Sequence, residues 1–295
     1  MRVVIAAGEL AALGTACCWS ISPLLFEAAT RRIGPDPVNL LRVAMALLMM
    51  LGTGLLAGRP VPLPTPAQAL LLGSSGVIGF ALGDFCLLAS YARIGARLAL
   101  LVNTAVPLIA ALGGFLFLGE RLDLRAWLGM GVTVLGVAWV ITARSEPARA
   151  QPAAYRDGLL FALGASAGQA VGLILSKRGL VGYQTWAGTE LRLAAGLVAI
   201  AAMVVARRQG SAVVRAVGDR RALAQLAVAS LFGPFLGVFL SLVAVERTAT
   251  GIAATLMSLP PVFILLPARW LGEAVTWRAG LGAVAAVAGV VVMLS

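Results

Sequence analysis

The sequence predicts an all-α membrane protein in which two inverted five-helix repeats enclose a central cavity. Three observations predict it. The first is that the chain contains itself twice: a five-segment hydrophobic pattern over residues 1–145 returns over residues 157–295. Gly8–Gly14 (GELAALG) returns as Gly158–Gly164 (GLLFALG) at an offset of 150, and Leu41-Arg42 returns as Leu191-Arg192. Further on the offset becomes 153, which pairs Pro107 with Pro260, Leu118-Gly119-Glu120 with Leu271-Gly272-Glu273, Gly129 with Gly282 and Gly136 with Gly289. The second observation is composition, 60% hydrophobic and 12% charged with a mean hydropathy of +0.97. A soluble domain carries about a quarter of its residues as charges. The third is parity. Five spans per copy is an odd number, so the second copy enters the membrane from the opposite side, and inverted copies can exchange conformations to give alternating access.

Ten apolar stretches centre near Ala16, Leu47, Phe80, Pro107, Val134, Ala167, Ala195, Pro234, Pro260 and Ala286. About twenty residues each is enough to cross roughly 30 Å of hydrocarbon as a helix. The first resembles a signal peptide, but Arg2 alone is a thin positive region and Glu9 interrupts the apolar run. It is therefore kept as the first helix. The second and seventh stretches carry the matched Arg42 and Arg192 about a turn inside. The third sets Asp84 beside a glycine stripe, Gly76, Gly79 and Gly83, that allows another helix close approach. The fourth and ninth hold Pro107 and Pro260-Pro261 and are closed by Leu-Gly-Glu. The fifth and tenth are glycine-rich, and the sixth brings Gln169 opposite Trp19 of the first.

The net charge of +11 comes from loop arginines, mostly paired at helix ends as in Arg31-Arg32, Arg207-Arg208 and Arg220-Arg221. There they meet lipid headgroups. No aromatic-interleaved basic face accompanies them, so membrane lipid is expected as a partner and nucleic acid is not. Loops after odd-numbered stretches carry fourteen Lys or Arg against seven in the termini and other loops. The positive-inside rule then places both termini outside. Five of the fourteen, however, lie in the one loop Arg207–Arg221. Cys17, Cys18 and Cys86 read as buried small apolar side chains. With no His and no Cys cluster, no metal or other cofactor is expected.

Asp84 is costly inside a membrane and is a functional candidate, either as a proton site or as a partner for a substrate amine. The structural alternative is an Arg-paired carboxylate. A single acid does not oblige cation coupling, so downhill export is expected not to require it. For Arg42 and Arg192, snorkelling to headgroups or interhelical packing is preferred over a grip on a carboxylate or phosphate. Glu120 and Glu273 read as structural, pairing with loop Arg or with the N-terminus of the next helix. Neutral polar and aromatic residues near the span centres look more like a substrate site. These are Trp19 and Ser22, Asn103 and Thr104 one turn before Pro107, Gln169, and Ser258 before Pro260. Proline frees a carbonyl in the preceding turn, which only protein or water can satisfy. Together with Asp84 they form the expected site, in a mostly apolar cavity of little net charge lined by stretches 1, 3, 4, 6, 8 and 9. Packing between helices is the alternative for Trp19.

Two five-span copies, the Leu-Gly-Glu closures, Pro107/Pro260 before them and the glycine-rich fifth and tenth stretches together resemble the drug/metabolite transporter superfamily, EamA type. The resemblance covers the whole chain. It implies ten helices in two inverted repeats around a cavity, exporting small metabolites across a bacterial inner membrane, most like the aromatic amino-acid exporters. It also implies Trp at Trp19 and Arg at Arg42 and Arg192, while Gln169 departs from the Trp often found in the second copy.

The expected function is a secondary transporter moving amino acids, aromatic and other bulky apolar ones, by alternating access. Its partner is a small-molecule substrate, and a monomer is expected. No GxxxxGK[ST] phosphate loop is present to couple ATP. A sugar-phosphate or nucleotide-sugar carrier is the alternative, but it needs several cavity cations, and only Arg42 and Arg192 are available. An intramembrane enzyme needs clustered Asp, His or Ser/Lys groups that the spans lack.

Overall fold

The computed structural model describes residues 6–59, 61–143, 152–265 and 276–295, and every regular element among them is helical. Eight helices are long and apolar enough to cross a membrane: α1 (Ala7–Ile33), α2 (Pro35–Leu56), α3 (Pro66–Gly95), α4 (Leu98–Leu118), α5 (Leu124–Ala143), α6 (Ala154–Gly179), α7 (Thr185–Ala206) and α8 (Arg220–Arg247). Two further apolar helices are shorter, α9 (Thr250–Phe263) and α10 (Trp277–Met293). A short amphipathic helix, Gly210–Val217, occupies the loop before α8. The Leu271-Gly272-Glu273 motif lies outside the described residues.

Helix boundaries follow local chemistry. Gly34 takes φ 86° and ends α1, with Pro35 opening α2. Thr65 and Gln68 close a capping box at the start of α3, with Pro66 in the first turn. Gly119 takes φ 67° after α4, and Glu120 N–H then reaches back to the Gly114 carbonyl at 3.0 Å. A left-handed residue there is the usual glycine stop.

The glycines paired by the internal repeat meet across one helix crossing. A Cβ at Gly129 would lie 2.6 Å from the Gly289 carbonyl, and one at Gly282 would lie 2.9 Å from the Gly136 carbonyl. Applying the 153 offset to the first contact generates the second, so the interface is self-complementary, as two-fold symmetry requires. Contacts run from Gly129 with Met293 to Gly136 with Ala286, so α5 and α10 are antiparallel. An axis that relates antiparallel helices lies across them rather than along them.

A second matched pair builds the centre. Within α3, Val77–Gly83 is a π-helical segment, and within α8 Leu231–Gly237 is another. Each packs on the first helix of the opposite half. Gly83 abuts Gly168 of α6 and Gly79 abuts Gly172, while Gly237 abuts Trp19 of α1 and Gly233 abuts Ser22. π segments disturb the regular backbone ladder and favour functional positions. The absence of side chains at Gly83, Gly168, Gly233 and Gly237 is what lets the helices close: a Cβ at Gly237 would sit 2.3 Å from Trp19 Nε1.

A polar cluster ties the two halves together where α1 begins and α4, α6 and α8 end. Glu120 accepts from Thr250 N–H and Oγ1, both at 2.8 Å, and pairs with Lys177 Nζ at 2.6 Å. Lys177 also donates to the Thr248 carbonyl, and Thr248 Oγ1 donates to Glu9 at 3.1 Å. Glu120 thus caps a helix N-terminus, but that of α9 in the opposite half rather than of the next helix, and its ion partner is Lys177 rather than a loop arginine. The carboxylate gains both a dipole and a cation there. The cysteine expectation also needs correction. All three thiols are free, but Cys17 is exposed and Cys18 and Cys86 are only half-buried. In a chain this apolar, the bundle's outer face takes small side chains as readily as its core.

Candidate functional site

A cavity of about 160 Å³ lies between the halves. At about 10–15 Å³ per water it has room for a small solute. Trp19, Ser22, Asp84, Asn103, Thr104, Gln169 and Ser258 all line it. They arrive from α1, α3, α4, α6 and α9, and α8 adds Gly233, Pro234, Val238 and Ser241. Arg42 and Arg192 line it too, and most of the remaining wall is apolar or aromatic, with Phe26, Phe80, Leu87 and Met257 among it.

Two helices break at this level. In α4 the turn at Thr104 and Ala105 closes on Leu101 and Val102 carbonyls, and in α9 the turn at Ser258 and Leu259 closes on Thr255 and Leu256. Both breaks precede the repeat-matched prolines, which cannot donate to the ladder. Thr104 Oγ1 donates to the Leu101 carbonyl and Ser258 Oγ to the Thr255 carbonyl, each at 2.7 Å. With their protons committed to the backbone, these two hydroxyls are left able to accept. Asn103 Nδ2 donates to Gln169 Oε1 at 3.0 Å, and Ser166 Oγ donates to Asn103 Oδ1 at 3.1 Å, which fixes the α4 break against α6. Gln169 keeps its amide donors free of that bond.

Of the two sequence readings preferred for the arginines, snorkelling needs correction, while interhelical packing describes Arg42, which pairs with Asp84 of α3. Neither snorkels: Arg42 and Arg192 are 6% and 5% exposed and both line the cavity, which brings α2 and α7 into its wall. Burial against the π segments explains this. Gly76 brings the Arg192 backbone against α3, where a Cβ would lie 2.1 Å from the Arg192 carbonyl, and the side chain is held away from any headgroup. Matched position in the two halves was the available signal, and it was read as structural.

Arg42 is engaged through Nε and Nη2. Its Nε and Nη2 donate to Asn39 Oδ1 at 3.1 and 3.0 Å, Nη2 is ion-paired with Asp84, and its guanidinium lies 5.2 Å from the Phe26 ring centre. Asn39 in turn donates to the Phe80 carbonyl in the π segment at 2.8 Å. Asn39 is a site residue that the sequence reading missed; an Asn three residues before an Arg on one helix face was the signal. Asp84 is therefore the Arg-paired carboxylate of the structural alternative, yet it remains at the cavity wall with its side chain 26% exposed.

A sequence model of the EamA-like transporter family matches residues 6–142 and 156–295. Twenty-nine chains of solved structures match. One of them, titled only as the crystal structure of a protein, superposes with a TM-score of 0.74 at 20% identity, covering 97% of this chain and 95% of the other. At that identity it speaks for the fold alone. No curated protein matches the chain.

Proposed function

Since the chain belongs to the EamA-like transporter family, whose members are membrane transporters of small metabolites and not enzymes, we propose that it exports amino acids with bulky apolar side chains by alternating access. The reading includes ten spans in two inverted halves, residues 1–145 and 157–295, acting as a monomer in a bacterial inner membrane. The antiparallel, self-complementary contact of α5 with α10 supports inversion. Seven residues of the expected site meeting in one inter-half cavity support its placement at the repeat interface.

The observation that carries the substrate class is the balance of that lining. Its charged groups are Arg42, Asp84 and Arg192, of which the first two neutralise one another. One positive charge in excess, among aromatic and aliphatic walls, suits a solute with one carboxylate and an apolar body. A sugar-phosphate carrier would need several uncompensated cations for a dianion. The acceptor hydroxyls of Thr104 and Ser258 suit the substrate ammonium.

The test is a transport panel in proteoliposomes. Wild type is expected to exchange aromatic and branched amino acids with little discrimination, since a methylene is worth only about 1–3 kcal/mol in an apolar pocket. Trp19→Ala and Gln169→Ala should each lower rates and alter substrate range. Unchanged behaviour in both would remove those residues from the site, and transport confined to phosphorylated solutes would overturn the reading.

A further inference from the structure

The two cavity arginines occupy equivalent places in the two halves, but the groups that neutralise the first are missing around the second. At the 150 offset Asn39 becomes Thr189, whose hydroxyl is spent on the Thr185 carbonyl of its own helix at 2.7 Å. Aligning the two π segments, Val77–Gly83 on Leu231–Gly237, puts Val238 where Asp84 stands. Among the described residues no hydrogen bond or ion pair reaches the Arg192 guanidinium, and its Nε is buried without a partner. The Phe80 ring lies 5.2 Å from the guanidinium carbon. Asp84 bonds Arg42 instead.

An arginine cannot escape this by losing its proton, since guanidinium stays charged in proteins. A buried charge without a counter-ion is costly. Here the cost is borne at the wall of a cavity. Gly79 and Gly172, both free of side chains, stand within 3.4 and 3.7 Å of Nη2 measured from their Cβ positions, which leaves room for the planar group between α3 and α6. We propose that Arg192 is the anchor for the carboxylate of the transported solute, supplying paired N–H donors that nothing among the described residues uses. The proposal deepens the amino-acid reading above and rests on that cavity being the transport site. Arg42, by contrast, is a wall element held by Asp84 and Asn39.

The donors ask for an acceptor of single negative charge. A carboxylate matches the guanidinium fork with two parallel hydrogen bonds. A phosphate dianion would leave a negative charge uncompensated, since Arg42 is already taken.

The experiment follows thermal unfolding of the purified full chain in detergent with 3-phenylpropionate, its neutral isostere 3-phenylpropionamide, phenylalanine and phenyl phosphate. For wild type, 3-phenylpropionate and phenylalanine should protect against unfolding, and the amide should not. In Arg192→Gln the concentration needed for protection should rise about ten- to a hundredfold, the range set by losing charge-assisted hydrogen bonds. Arg192→Lys should fall between, keeping the charge and losing the fork. The anchor is overturned if the amide protects as well as the carboxylate, if Arg192→Gln binds as wild type does, if phenyl phosphate protects best, or if no carboxylate protects wild type. The amino-acid reading fails separately, leaving the anchor in place, if 3-phenylpropionate protects and exchanges in proteoliposomes while phenylalanine does neither.

Discussion

The halves of this chain differ most where they are otherwise most alike. Both carry a π segment packed on the other half's first helix, both break a helix ahead of a matched proline, and both set a repeat-matched arginine in the cavity wall. In the first half that arginine is satisfied by Asn39, Asp84 and the Phe26 ring; in the second, Thr189 and Val238 offer it nothing. Symmetry of backbone serves the exchange of conformations, which needs two halves able to adopt each other's shape. Asymmetry of side chains serves recognition, because one solute cannot meet two identical sites at once. The shared features are structural and the unshared ones are where chemistry is sought.

The largest effect should come from removing each arginine in turn. Arg42→Gln leaves Asp84 without its cation and is expected to destabilise the chain by about 2–4 kcal/mol, a little under a fully buried pair because Asp84 is 26% exposed. Arg192→Gln breaks no pair. It relieves a desolvated charge and forfeits only the contact with Phe80, so it should leave stability unchanged or raise it by about 1 kcal/mol. Urea unfolding of both variants, followed by tryptophan fluorescence in detergent, gives the two signs. Equal losses would mean that both arginines are packing elements and would erase the contrast between the halves.

Much of the frame behind this contrast was legible in the sequence. Hydropathy and the double offset located the helices, and the glycines that the offset paired are the ones that touch between α5 and α10. All seven residues expected at the cavity line it, because polar side chains near the middle of apolar spans have few other places to go. What was not legible was direction. Hydropathy gives the depth of Arg42 and Arg192 along a helix, but the face they present depends on the crossing with α3, which glycines at 76 and 79 set from another element. The π segments were hidden as well: each half carries one of seven residues, so they leave no trace in the offset between the halves. Within the described residues, α9 and α10 are shorter than the twenty residues their hydropathy suggested.

A smaller effect, and a sharper one, comes from making the second half resemble the first. Val238→Asp supplies Arg192 with the carboxylate that Arg42 already has. If the proposed anchor is right, the new pair should fill the donors and raise the concentration of 3-phenylpropionate needed for protection by about tenfold or more, the weight of a charge-assisted pair. Stability should hold, since the added charge meets an opposite one. Val238→Asn is the control for shape and polarity without charge, and should weaken protection far less. Loss of protection in both variants alike would point to damage to the cavity wall, and retention in both would place Arg192 away from the ligand.

The smallest effect should come from changing the first half toward the second while sparing its geometry. Asp84→Asn keeps an oxygen that can accept from Arg42, so the hydrogen-bonded frame of Arg42, Asn39 and the Phe80 carbonyl survives. The charge does not, and the excess in the cavity rises from one positive charge to two. A monoanion gains from that change and a zwitterion gains much less, because its ammonium now faces a second cation without the Asp84 carboxylate to offset it. The expected result is a shift in preference of a few-fold toward 3-phenylpropionate over phenylalanine, about 1 kcal/mol for a partly screened charge near a polar wall. Competition between the two solutes, measured as protection or as exchange in proteoliposomes, reads this ratio without depending on how much active protein each preparation holds. A ratio that moves the other way would show that the Asp84 charge does not help to hold the substrate ammonium. A ratio that stays fixed would mean that Arg42 and Asp84 act as one neutral unit whatever the charge on the acid, and the distinction between the halves would then rest on Arg192 alone.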